Sequence, residues 1–117
     1  MPSTEYMTDD DFESRSFPAA GHLYEVDYGG DLLVRFDFHS VSSMTIYGMK
    51  GKYKDFVETV KIEVTLIRPK VFMVAWQEEN KTTVVHIEDF ENNLIYANIT
   101  KPGNEFLRIQ GQLRLIE

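Results

Sequence analysis

Downstream of Gly21, apolar and polar residues alternate with a period of two in short runs closed by turn residues, the pattern of strands with one wet face. Leu32, Val34, Phe36 and Phe38 alternate with Leu33, Arg35 and Asp37, and Val60, Ile62, Val64 and Leu66 alternate with Lys61, Glu63 and Thr65. Near the C-terminus Leu107, Ile109, Gly111, Leu113 and Leu115 face one way, with Arg108, Gln110, Gln112 and Arg114 on the other. The run from Val71 to Trp76 is almost continuously apolar and predicts the most buried strand. Between the runs stand Gly29-Gly30, Arg68-Pro69-Lys70, Glu79-Asn80-Lys81, Glu91-Asn92-Asn93 and Pro102-Gly103-Asn104, all turn chemistry at hairpin length.

These runs predict eight strands, over 22–28, 32–38, 43–48, 56–67, 70–78, 82–90, 94–100 and 105–116. Hairpin connections make them successive and antiparallel. An open sheet of that size leaves two unpaired edges, whereas closure removes both and encloses side chains or one small ligand. The expected fold is therefore all-β, a single eight-stranded up-and-down barrel of the lipocalin-like or calycin-like kind. An interior rich in Phe, Trp, Leu and Ile leaves open whether the barrel is hollow or filled.

Length and composition then narrow the setting. At 117 residues the chain is one domain, able to bury roughly two-thirds of its unfolded surface. Its apolar fraction of 43% and charged fraction of 26% are those of an ordinary globular protein. A net charge of −7 repels phosphate backbones and anionic lipid, so neither nucleic acid nor membrane is an expected partner. The chain has no cysteine, which removes disulfides, thiolate nucleophiles and cysteine-ligated metals. No leader-like start and no run of about 18 apolar residues is present, and the expected location is cytoplasmic. Residues 1–16 carry five acids against one base and read as an acidic tail ahead of a barrel domain over 17–117. Asp9, Asp10 and Asp11 lack the alternating ligands, turn glycine and distal Glu of a calcium loop.

Candidate chemistry is sparse. In Val74-Ala75-Trp76-Gln77-Glu78, Glu78 shares the parity of Val74 and Trp76, so an inward-facing strand places its carboxylate on the apolar face. Burial there raises a carboxyl pKa and suits a general acid, while a position past the strand end, or pairing with Lys81 or Arg35, makes Glu78 only a surface charge. His86, with Thr82 and Val84 on its face, is a candidate base or a structural histidine. His22, His39 and His86 lack ligand spacing, so no metal and no cofactor is expected. Ser40, Ser42 and Ser43 sit in a turn without a nucleophile elbow. The stretch Gly48–Asp55 reads as a flexible basic loop at a barrel mouth, with Lys54 available to an anion.

The segments Gly21–Tyr28, Val71–Glu78, Thr82–Phe90 and Ile95–Thr100 resemble the small calycin barrels of the MoaF-like and phenolic acid decarboxylase group, most specifically at Val74-Ala75-Trp76-Gln77-Glu78. The decarboxylase resemblance implies cofactor-free loss of carbon dioxide from para-hydroxycinnamic acids, with a glutamate as proton donor and tyrosines and an arginine as anchors. Glu78 matches that glutamate and Tyr28 the second tyrosine. Val26 stands where the first tyrosine is expected, and Asp55, beside Lys54 and Lys52, where the arginine is. The MoaF-like resemblance implies a small-molecule-binding barrel whose pocket is lined by Tyr28, Phe36, Trp76 and Glu78 and by Val84, His86 and Ile99. Three functional expectations follow: a barrel binding a small, partly aromatic ligand without turnover, a cofactor-free lyase using Glu78 and Tyr28, and a filled barrel acting as a homodimeric interaction module.

Overall fold

The computed structural model describes residues 15–117. The expected acidic tail falls almost wholly before them, and Asp9, Asp10 and Asp11 lie outside the described residues.

Nine antiparallel strands follow one another: β1 Leu23–Asp27, β2 Leu33–Phe38, β3 Ser43–Gly48, β4 Val57–Lys61, β5 Glu63–Arg68, β6 Val71–Gln77, β7 Thr83–Asp89, β8 Leu94–Lys101 and β9 Glu105–Leu115. They form one sheet in the order β4-β3-β2-β1-β9-β8-β7-β6-β5. The first and last strands thus pair with each other, Val26 opposite Leu113. The two ends of the sheet, β4 and β5, are consecutive in the chain, and β4 also lies against β6. The result is a nearly closed all-β barrel.

The count of nine corrects the expected eight. The strand expected over 56–67 divides at Ile62, where the chain changes neighbour: Lys61 pairs with Ser43 on β3, and Glu63 pairs with Ala75 on β6. Strands in a barrel tilt and stagger, so a long strand leaves one partner before it meets the next. Ile62 anchors the changeover by donating its N–H to the Ser42 carbonyl and burying its side chain at 2% exposure. The expected hairpin turns form, with Lys70, Lys81, Asn93 and Asn104 at positive φ.

Alternation sorts the two faces. Val26, Phe36, Phe38, Met44, Val74 and Ile95 fill the interior, each at most 3% exposed. On the outer face of the β1–β9 seam, the Arg35 Nε–H donates to Glu25 Oε2 at 2.9 Å and an Arg114 Nη2–H to Glu25 Oε1 at 2.6 Å. These residues are direct cross-strand neighbours on either side of β1. The inward parity of β9 does not bury its last member, since Leu115 lies at the barrel rim and is exposed.

The two ends of the barrel differ. Phe17, just before β1, packs edge-on against Phe38, Phe72 and Phe90 with ring centroids 5.4, 5.3 and 5.8 Å away. Tyr24 joins the group against Phe38 and Phe90. That end is plugged by interlocking rings. The opposite end is hollow.

Candidate functional site

The hollow end is a cavity of about 290 Å³. Its wall is mostly apolar and aromatic, with Phe36 and Trp76 meeting edge-on at 5.9 Å. Tyr28, Phe36, Trp76 and Glu78 reach it from β1, β2 and β6 or the residue just after, and Val84, His86 and Ile99 from β7 and β8. Lys54 does not line it and is exposed on the turn before β4. Asp55, where the decarboxylase arginine would fall, shares that exposed turn.

Gly48 shapes the mouth. A Cβ there would lie 1.8 Å from the Tyr53 carbonyl oxygen, so only glycine lets the 49–55 segment fold back over β3. The segment expected to be a loose loop forms a 3₁₀ turn, Gly51–Tyr53, pinned by the Gly48 N–H on the Phe56 carbonyl and the Asp55 N–H on the Gly48 carbonyl. Tyr53 and Phe56 thereby enter the cavity wall. The Lys101 ammonium donates to the Tyr53 hydroxyl at 2.8 Å. That bond, followed by nearby acids, holds the lysine above its ordinary pKa despite partial burial.

Glu78 lies at the same rim. The Trp76 indole Nε1–H donates to its Oε2 at 3.1 Å. Burial pushes its carboxyl above the ordinary range, and the indole bond opposes this; Glu58 adds to the rise, while Lys101 and His86 oppose it. The site thus offers a carboxyl inclined to keep its proton and an ammonium close to it.

Deeper in, three side chains form a line. The Tyr28 hydroxyl is 3.0 Å from His86 Nε2, and His86 Nδ1 is 3.0 Å from Glu88 Oε2. His86 is 1% exposed and Glu88 0%. Glu88 Oε1 has no hydrogen-bond partner, the one such buried side-chain atom among the described residues. Aromatic walls hold the imidazole: Trp76 and Phe36 meet it edge-on at 4.7 and 5.4 Å. Burial first, and the Glu88 charge second, push the Tyr28 hydroxyl well above the ordinary tyrosine pKa, so the phenol rests protonated.

Gly111 makes room for this line. A Cβ at that position would stand 2.9 Å from both the Tyr28 ring and the Val26 side chain. An apparent gap in the inward row of β9 is therefore the seat of the Tyr28 ring.

Sequence reasoning missed Glu88, Lys101 and Tyr53. The first two shared an available signal, because Glu88 has the parity of Val84 and His86, and Lys101 that of Ile95, Ala97 and Ile99. Tyr53 had none, since its place depends on the turn folding over Gly48.

The sequence profile of the MoaF-like family matches residues 20–114. A crystal structure from Burkholderia vietnamiensis, provisionally described as a beta-lactamase, superimposes with a TM-score of 0.81 at 29% identity, covering 87% of this chain and 99% of that one. No curated protein matches the chain significantly.

Proposed function

This chain belongs to the MoaF-like family, and we propose that its barrel binds one small, partly aromatic ligand in the hollow end. The observation that carries this reading is the asymmetry of the interior. One end is packed with Phe17, Phe38, Phe72 and Phe90, while the other encloses about 290 Å³ behind an aromatic wall with a few convergent polar groups. A merely structural core would have no reason to leave that space unfilled, because each empty volume forfeits packing contacts. The volume suits a ligand of about one ring, below the usual range for larger cofactors. Glu78 and Tyr28 orient the ligand, and Lys101 favours an anionic group on it.

The test is ligand-observed NMR of the purified protein with small aromatic acids, including para-hydroxycinnamates, together with the fluorescence of Trp76, the chain's single tryptophan. Saturable signal transfer to a ring-bearing acid with a matching fluorescence change supports the reading. Silence from every compound in both measurements overturns it.

A second reading, decarboxylation with Glu78 as proton donor, draws on the burial that raises that carboxyl's pKa. Val26 brings no hydroxyl and Asp55 no cation to that chemistry. Appearance of a vinyl product in the same NMR series would support it. From the Burkholderia protein we carry over the barrel alone, because the side-chain hydroxyls lining this cavity are those of Tyr28, Tyr53 and Thr82, not a serine with an adjacent base. The outer wall exposes Ile67, Tyr96 and Phe106, and the expected homodimer is tested by sedimentation: a dimer supports it, a monomer removes it.

A further inference from the structure

We propose that Tyr28, His86 and Glu88 form a one-proton shuttle that isomerises the bound ligand, an aromatic oxo acid carrying an acidic C–H beside its carbonyl. This rests on the binding reading above and adds turnover to it.

The geometry is that of an oriented acid–base chain. A Glu88 carboxylate accepting the Nδ1–H of His86 fixes the tautomer, so that Nε2 is left as the acceptor for the Tyr28 hydroxyl. Tyr28 and His86 line the cavity, whereas Glu88 stands behind them in the core. A ligand in the cavity therefore meets the Tyr28–His86 pair and not Glu88. Trp76 and Phe36 flank the imidazole and keep its surroundings dry.

Glu88 makes little sense as a purely structural group. A carboxylate fully out of water with one oxygen unpaired costs stability, and an apolar residue would fill the position better. Its place is explained if a positive charge forms beside it during function. When the Tyr28 proton moves to Nε2, the imidazolium is neutralised by the carboxylate 3.0 Å away.

The step balances without a co-reactant. Tyr28 Oη takes a proton from the carbon next to the ligand carbonyl as its own proton passes to His86 Nε2. The C–H electron pair becomes the new C=C bond, and the carbonyl π pair goes to oxygen. The proton then returns from Nε2 to Tyr28, and from Tyr28 Oη to that oxygen, giving the enol; the reverse order gives the oxo form. The ring is held by the aromatic wall, and the acid group by Lys101 at the mouth. Tyr28 and His86 are the catalytic residues, and Glu88 is a positioning residue.

Phenylpyruvate has the required ring, carboxylate and acidic C–H. Its C3 deuteration in D₂O is followed by NMR, with saturation transfer in the same tube reporting binding. Wild-type protein should exceed buffer alone by roughly 100-fold or more, and Tyr28→Phe should lose most of that gain while still binding. Glu88→Gln should lower kcat with little change in KM, and should shift the His86 ¹⁵N signals from the Nδ1-protonated pattern to a mixture. Because Glu88→Gln alters the core, Tyr28→Phe, which removes one oxygen, is the deciding variant. Binding without accelerated exchange overturns the shuttle and leaves the binding reading standing, and so does exchange that survives in Tyr28→Phe. Absence of binding by phenylpyruvate and by every acid tried above removes both.

Discussion

The Tyr28 hydroxyl meets His86 Nε2 at 3.0 Å across the hollow end of the barrel, joining two residues 58 positions apart. Neither residue's neighbours in sequence point to the other. The contact exists because Tyr28, just after β1, and His86, on β7, line the same cavity, and because Gly111 leaves space for the Tyr28 ring.

Removing that contact should be measurable without any ligand. Tyr28→Phe leaves the buried His86 Nε2 without its partner, so unfolding in urea should show a loss of about 1–2 kcal/mol. An unchanged midpoint would mean that the hydroxyl contributes nothing to the resting fold.

Gly111→Ala should destabilise by about 1–3 kcal/mol, because the added methyl group meets the Tyr28 ring, Val26 and the Asp27 carbonyl at once. Two of those three neighbours are packed inside or backbone. The same variant should change the ring signals of Tyr28 in NMR spectra, which separates local displacement from a general loss of strand propensity.

The plugged end predicts a different cost. Phe17→Ala removes a ring that touches Phe38, Phe72 and Phe90, and should lower stability by about 2–4 kcal/mol. If the plug and the cavity are separate, saturable binding at the other end should survive in conditions where the variant is folded, as judged by Trp76 fluorescence.

Glu25 predicts acid sensitivity. The Arg114 bond, then the Arg35 bond, hold its carboxyl below the ordinary value of 4.5 against the opposing effect of burial. A carboxyl lowered on folding contributes stability above its unfolded pKa, and loses it as pH falls through the folded pKa. Wild type should therefore exceed Glu25→Gln in stability at pH 7, with the gap closing below about pH 4.5 in urea titrations. A gap independent of pH would show that the ion pairs add nothing at this seam.

Glu78 predicts the opposite trend. Its carboxyl is raised on folding, chiefly by burial, so the protonated form stabilises the fold below the unfolded pKa and that gain is lost as pH rises through the folded pKa. Glu78→Gln keeps an acceptor for the Trp76 indole and cannot ionise. Its stability relative to wild type should rise as pH increases from about 4 to 7. A flat difference would place Glu78 in water, and a falling one would show its carboxyl held low by a cationic partner.

The sequence by itself determined the strand order, the turns and which parity faces inward. Each of these follows from local rules: a period of two along a strand, and turn residues that fix the hairpins. On that basis Val74, Trp76 and Glu78 share one parity, but whether Glu78 lies inside or past the strand end stayed open until the cavity wall was known. Only the tertiary structure decided which inner residues meet. The Tyr28–His86–Glu88 line depends on the stagger of strands around the barrel, the Lys101–Tyr53 pair on a turn folded over Gly48, and the split of β4 from β5 on a change of partner at Ile62. Whether the interior was full or hollow was equally non-local. Alternation tells how many apolar groups point inward, but the space they leave is set by closure of the sheet and by where Phe17 inserts.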